Sequence, residues 1–325
     1  MSNIKITASA KLNLHLCIGD RRPDGFHDIE SLFLALDFGD TLRLETLPDA
    51  AGADTEIHMD WRFPDGLGLA PHLPPEKNIV FRAVSLFRSH TGYDKRLRIK
   101  IEKRIPLGSG LGGGSSDAAA TLLALNRLAS SDKNGLLNRK ALAEIGEALG
   151  SDVPFFVYET AAAWVSGKGE QVQPITLPDE FSNLSLLLVN PGIHSDTARA
   201  FRLIDEYRQA VPRQSLAGSG SFSSDTLLNI LASSPQNWPF FNDFLTTFED
   251  PQYLPHSHFH ESGFAHYSRI ISSLREFGAD FAGLSGSGST CFGIFLHKSR
   301  AKAAKKLLLK HWPCIFETFC LHINR

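Results

Sequence analysis

P-L-G-S-G-L-G-G-G-S-S-D-A-A-A, residues Pro106 to Ala120, joins an alternating stretch, L-R-I-K-I-E-K, to a row of strong helix formers. The period of two predicts a strand before the run, and S-D-A-A-A-T-L-L-A-L-N-R-L predicts a helix, Ser116 to Leu128, after it. Five of the seven residues from Gly108 to Gly114 are glycine. The main chain there is free to take positive φ and to approach a ligand with no Cβ in the way. Successive N–H groups then converge, and the helix adds its unpaired N-terminal amides and the positive end of its dipole. Pro106, Leu107, Gly108, Ser109, Gly110, Leu111, Gly112, Gly113, Gly114, Ser115 and Ser116 are therefore expected to form a phosphate cradle. The Ser115 and Ser116 hydroxyls stand at the helix start, where they are placed to cap it, to touch phosphate or to reach a phosphate-bound Mg²⁺.

Spacing separates the kinds of phosphate loop. A Walker A loop needs a lysine before its final Ser/Thr, and none occurs between Gly108 and Ser116. Gly108, Gly110 and Gly113 satisfy G-x-G-x-x-G by letters, but the dinucleotide unit requires a parallel strand after its helix, and here a second amphipathic helix, Arg139 to Leu149, comes first. A protein-kinase glycine loop lies between two strands, whereas this one opens a helix.

Outward from the loop, the even positions from Ile4 to Leu16 are nearly all apolar, the mark of a strand with one buried face. Lys11, Asn13 and His15 are then expected to share the other face. Gly19 to Gly25 reads as a turn, and Phe33 to Phe38 and T-L-R-L-E-T-L as further antiparallel strand. Pro48 to Pro75 reads as an elaborated hairpin or surface insertion with a short strand near Glu56 to Trp61, and Asn78 caps a helix to about His90. Asp152 precedes V-P-F-F-V-Y, taken as an apolar strand, and A-A-A-W-V-S-G-K-G-E continues as strand and turn. The pattern resets around Leu177 to Asn183, which sets domains of 1–177 and 178–325. The second half has a buried strand L-S-L-L-L-V, a helix from Thr197 to Gln209, a mobile Ser/Gly-rich stretch from Ser215 to Ser224, a helix from Phe264 to Phe277, a strand–glycine turn–strand unit and a basic terminal helix.

A chain of 325 residues with 42% hydrophobic content is large for one core and suits two packed lobes. The net charge of −2 gives no footprint for nucleic acid or an anionic membrane, so the expected partner is a small molecule. The four scattered cysteines suit reduced thiols in a cytoplasmic setting, and no signal peptide or membrane span is visible. The chain is expected to act as a monomer or weak homodimer.

The loop resembles the GHMP kinase form P-x-x-x-G-L-G-S-S-A-A through Pro106, Gly110, Leu111, Gly112, Ser115, Ser116, Ala118 and Ala119, with two extra residues in the glycine run. A-K-L-N-L-H-L near the N-terminus resembles the first motif of that family, and G-L-S-G-S-G-S-T-C-F-G, Gly283 to Gly293, the third, in the same order. The segments R-R-P-D-G-F-H-D-I-E-S-L-F, L-G-S-D-V-P-F-F and N-P-G-I-H-S-D-T-A-R-A-F are similar to the branch whose acceptor is a cytidine-diphosphate sugar alcohol. The resemblance implies an α+β, two-lobed fold: an N-terminal mixed β-sheet with helices, a C-terminal α/β sandwich, and an active site in the cleft between them. It also implies ATP as co-substrate, Mg²⁺, Lys11 and Asp152 as the catalytic pair, Asn13 on the acceptor side, and Phe26, His27 and Phe201 around the cytosine. Phe26 stands where many members have tyrosine, which keeps stacking and removes a phenol hydrogen bond. Other GHMP kinases, acting on mevalonate, a mevalonate phosphate or homoserine, remain alternatives, as does a nucleotide-binding sensor without turnover.

Overall fold

The structure, a computed structural model, describes residues 2–48, 55–62, 77–131, 137–210, 222–249, 265–312 and 314–320. The chain opens with two long antiparallel strands, β1 (Asn3–Arg21) and β2 (His27–Thr46), then β3 (Thr55–Trp61), α1 (Ile79–Thr91) and β4 (Leu97–Lys103). Asn78 caps α1 as expected, its side chain accepting from the Val80 amide at 3.0 Å. Next come α2 (Gly113–Ser131), α3 (Arg139–Glu147), α4 (Val153–Val157), β5 (Ala162–Ser166) and β6 (Gln171–Pro174). Strand β1 pairs with β2, and the rest run in the order β3-β4-β2-β5-β6, all antiparallel except β3 with β4, so the sheet is mixed. Phe33, Leu42, Leu44, Ile99 and Ile101 from its strands meet Val84, Phe87, Leu122, Leu125 and Phe155 from the helices in one core.

The second half contributes β7 (Ser185–Val189), α5 (Thr197–Ala210), α6 (Ser224–Ala232), α7 (Asp243–Glu249), α8 (Ala265–Glu276), β8 (Phe281–Leu284), β9 (Cys291–Phe295), α9 (Lys298–Leu308) and β10 (Ile315–Thr318). Its antiparallel sheet has the order β10-β7-β9-β8. On one face Leu187 and Val189 pack with Ile204, Ile270, Leu274 and Ala304. On the other, Leu186 and Leu188 join Leu12, Leu32, Leu34 and Trp164 of the first sheet in a shared core. Strand β7 is thus buried on both sides, which is why S-L-L-L-V shows no alternation.

Three expectations need correction. V-P-F-F-V-Y is a helix, α4, not a strand: all five of its residues are buried against α2 and α3, and an apolar run buried all round carries no period to read. Helix α2 starts at Gly113, three residues before Ser116, so the last two glycines already belong to it. His15 does not share a face with Lys11 and Asn13. The pairing Asn13↔Phe33 is followed by His15↔Leu32, a bulge that rolls His15 onto the opposite side, where it stacks on Trp164 at 5.8 Å. Burial there lowers the His15 pKa to about 4, so it is a neutral core residue.

Residues 48–75 lie outside the described residues except 48 and 55–62, and the stretch from Ser215 to Ser224 lies outside them up to residue 221. The four cysteines are free and buried. Among the described residues no helix is long and apolar enough to cross a membrane.

Candidate active site

Gly108, Gly110 and Gly112 take φ of 58°, 76° and 72°. The carbonyls from Gly108 to Leu111 are each tied down from outside: Gly108 O accepts from Ser195 N at 3.0 Å, Ser109 O from Thr290 N at 3.0 Å, Gly110 O from the Ser285 hydroxyl at 2.9 Å and Leu111 O from Lys11 N at 3.0 Å. With those carbonyls turned into the protein, the amides from Gly108 to Gly112 donate no hydrogen bond among the described residues. The first turn of α2 adds its own unpaired N–H groups. An array of free donors on a glycine backbone is suited to an anion. The third glycine turn, Ser285 to Ser289, packs directly on this loop: a Cβ built on Gly110 would stand 2.1 Å from Ser285 O.

One hydroxyl of the loop turns elsewhere. Ser116 Oγ donates to Ser9 O at 2.6 Å and its amide to Gly112 O at 2.9 Å, so both groups are engaged away from the cleft. Ser115 lines the cleft, with Pro106, Leu107, Gly108, Ser109, Gly110, Gly112, Gly113 and Gly114. Leu111 is fully buried beneath the loop.

Lys11 reaches the cleft from β1, and Asp152 from the residue before α4. Their Nζ and Oδ2 atoms are 3.5 Å apart. Asp152 occupies the N-cap position, yet its side chain makes no capping hydrogen bond, which leaves the carboxylate facing the cavity. Lys11 Nζ also donates to Asn13 Oδ1 at 2.6 Å and stands 4.7 Å from the centre of the Phe33 ring. Asn13 Nδ2 in turn donates to Ser31 Oγ at 2.9 Å, which fixes the amide orientation. Lys11 is 4% exposed overall, so the ammonium is held by carboxylate, amide and aromatic face rather than by water.

The cavity, about 870 Å³, continues past Lys11 to Phe26, His27 and Phe201. Phe26 is 55% exposed, with Lys168 Nζ 5.5 Å from its ring centre. His27 is buried, stacked on Phe201 at 5.0 Å and 17°, with Nε2 2.8 Å from Asp205 Oδ1. The structure thus brings Lys11, Asn13, Phe26, His27, Asp152 and Phe201 into one cleft with the glycine loop.

Sequence reasoning missed the charged groups Arg21, Lys168, Arg202 and Asp205 on its walls. It also missed a buried cluster behind the loop. Lys103 Nζ pairs with Asp40 and, at 2.5 Å, with Asp117 Oδ2, while Asp40 Oδ1 accepts from Ile105 N at 2.9 Å. Burial pushes the Asp117 carboxyl up to about 7 against the pull of Lys103, with nearby Asp40 adding to the rise. Burial also pulls Lys103 down, but the two carboxylates outweigh it and hold the ammonium above its ordinary value. Nothing in the spacing of Asp40, Lys103 and Asp117 announces that they meet.

Residues 78–160 match the GHMP kinases N terminal domain and residues 258–314 the GHMP kinases C terminal. The 4-diphosphocytidyl-2-C-methyl-D-erythritol kinase of Burkholderia thailandensis is 35% identical over 307 residues, covering 94% of this chain and 90% of the relative. The enzyme of the same name from Treponema pallidum is 33% identical, with 98% and 100% covered. A crystal structure of 4-(cytidine 5'-diphospho)-2C-methyl-D-erythritol kinase superposes with a TM-score of 0.70 at 28% identity, covering 98% of this chain and 100% of that one. Homoserine kinase from Cytophaga hutchinsonii, at a TM-score of 0.63 and 18% identity, shares the fold. With two GHMP domains and relatives of one name matched over nearly their whole length, the chain belongs to the 4-diphosphocytidyl-2-C-methyl-D-erythritol kinase family of the GHMP kinases.

Proposed function

We propose that this chain transfers the γ-phosphoryl group of ATP to the 2-hydroxyl of 4-(cytidine 5'-diphospho)-2-C-methyl-D-erythritol, a step of isoprenoid precursor synthesis. The observation that carries this reading is the Lys11–Asp152 pair, 3.5 Å apart, beside the glycine loop; a Cβ on Gly112 would come within 3.1 Å of Lys11 Cγ. The acceptor oxygen attacks the γ-phosphorus in line, the new O–P bond forms as the bond to the β-phosphate oxygen breaks, and ADP leaves. Asp152 orients the hydroxyl and receives its proton, while Lys11, 3.5 Å from Asp152 Oδ2, offsets charge on the attacking oxygen. The amides from Gly108 to Gly112 and the start of α2 hold the phosphate oxygens on which charge gathers.

The cytosine, set against Phe26, His27 and Phe201, supplies remote binding energy that fixes the hydroxyl in place. Among the described residues no group of three or more His, Cys, Asp or Glu side chains stands ready for a metal. That suits Mg²⁺, which keeps several waters and takes most of its oxygens from phosphate. Ser115, at the start of α2 on the cleft wall, would help hold it, and the chemistry it would supply there is neutralisation of phosphate charge. We place the lobe boundary between 177 and 178, supported by the six-stranded sheet lying wholly before it and the four-stranded sheet wholly after. A cytoplasmic monomer or weak homodimer fits the near-neutral composition. ADP release across a panel of alcohols, with and without the cytidine diphosphate group, tests the assignment. Equal turnover of an acceptor lacking the cytidyl group would defeat it.

A further inference from the structure

We propose that Asp205 is a positioning residue that fixes the tautomer of His27, so that the enzyme selects a pyrimidine whose exocyclic group donates a hydrogen bond. The inference rests on the reading of the Phe26–His27–Phe201 region as the base site. Helix α5 grips the imidazole twice. Phe201 lies on its face at 5.0 Å, and Asp205, four residues on and so on the same side of the helix, meets its edge, with Oδ1 2.8 Å from Nε2. A carboxylate accepts and does not donate, so Nε2 carries the proton. The other nitrogen, Nδ1, makes no hydrogen bond among the described residues, while His27 lines the cavity.

In the neutral ring this leaves Nδ1 as a lone pair available to a ligand in the cavity that His27 lines. The amino group of cytosine donates to such an atom, whereas the corresponding carbonyl of uracil meets it acceptor to acceptor. A site built for one hydrogen-bond pattern rejects the other strongly, because a buried polar group is left unpaired. The Asp205 side chain is 22% exposed, and its charged partners among the described residues are His27 and Arg21. Arg21 Nε stands 4.0 Å from Asp205 Oδ2.

The test compares the cytidine-diphosphate alcohol with its uridine counterpart in wild type, Asp205→Asn and Asp205→Ala, together with imidazole ¹⁵N chemical shifts of His27. Wild type is expected to prefer the cytidine acceptor by about a hundredfold or more in kcat/KM, with His27 in the Nε2–H form. Asp205→Ala is expected to lose at least about tenfold of that preference, chiefly through acceptor KM, and to show a mixture of tautomers. Asp205→Asn, whose carboxamide oxygen still accepts from Nε2, restores both. An unchanged preference in Asp205→Ala, or an Nδ1–H or doubly protonated ring in wild type, overturns the proposal while leaving the assigned reaction standing. Turnover of neither nucleotide acceptor by wild type defeats the assigned reaction itself.

Discussion

Lys11 Nζ and Asp152 Oδ2 stand 3.5 Å apart, one carried by the buried middle of a long strand and the other by the residue that opens a five-residue helix. The strand end is immobilised by Asn13, Ser31 and Phe33, and the helix end by apolar contacts on α3, where Val153 sits against Gly146 with only 2.8 Å to spare for a Cβ. Two rigid elements therefore set the distance, and a ligand finds the pair already formed.

Asp152→Asn keeps the shape of the site and removes the charge and the basic oxygen. The expected loss in kcat is about 10² to 10⁴, with ATP affinity within about twofold because the amide loop is untouched. Steady-state kinetics and ATP titration of the same preparation measure both. Turnover like that of wild type would remove Asp152 from the mechanism.

Gly110→Ala places a methyl group 2.1 Å from Ser285 O on a residue with φ of 76°. The left-handed backbone alone costs about 1–2 kcal/mol, and the clash must also part the two glycine turns. Nucleotide affinity is expected to fall at least about tenfold, near 1.4 kcal/mol, along with the melting temperature. Gly92→Ala is the control: its φ is 70° but nothing lies within 4 Å, so it lowers stability and leaves ATP binding as it was. Equal ATP affinity in both variants would show that the contact between the turns does not shape the cradle.

Phe26→Ala removes an exposed ring on the cleft wall, over which Lys168 Nζ stands at 5.5 Å. A lost aromatic stack on a base corresponds to about 1–3 kcal/mol. Acceptor KM should therefore rise roughly five- to hundredfold with kcat changed far less, while Phe26→Tyr should keep acceptor binding. An unchanged KM in the alanine variant would place the base elsewhere.

Asp117 gives a pH dependence of known sign. Its carboxyl titrates at about 7 in the folded protein and near 3.8 as a free group, so over that window the native state holds a proton that the unfolded chain has released. Stability contributed by the raised pKa is present at low pH and declines as pH climbs through the folded value, by up to about 1.4 kcal/mol per unit. Asp117→Asn should flatten that decline, so its melting temperature gains on wild type from pH 5 to pH 8. A constant difference across the range would mean that Asp117 stays ionised throughout.

Much of the layout of the candidate site is legible because its demands are local. Positive φ at three alternate positions requires glycine, and a phosphate cradle requires a helix start directly after it; both are written in G-S-G-L-G-G-G-S-S. Asp152 was found through the segment around it, although the following V-P-F-F-V-Y misled, since burial on every side erases the period that distinguishes strand from helix. Its place in the motif puts Ser116 in the cradle, but helical rotation turns its hydroxyl to Ser9.

By itself the sequence determined the strand–loop–helix unit, the order of its partner segments and the residue types of the pair that flanks it, because each depends on residue type within a few positions. Only the tertiary structure decided which residues meet across the chain: His15 rolled to the core by a bulge, Asp205 set on the edge of His27, and Lys103 enclosed by Asp40 and Asp117. Those meetings follow from sheet register and from how helices settle on a shared core, and such distances are summed over the whole packed chain rather than specified at any one point along it.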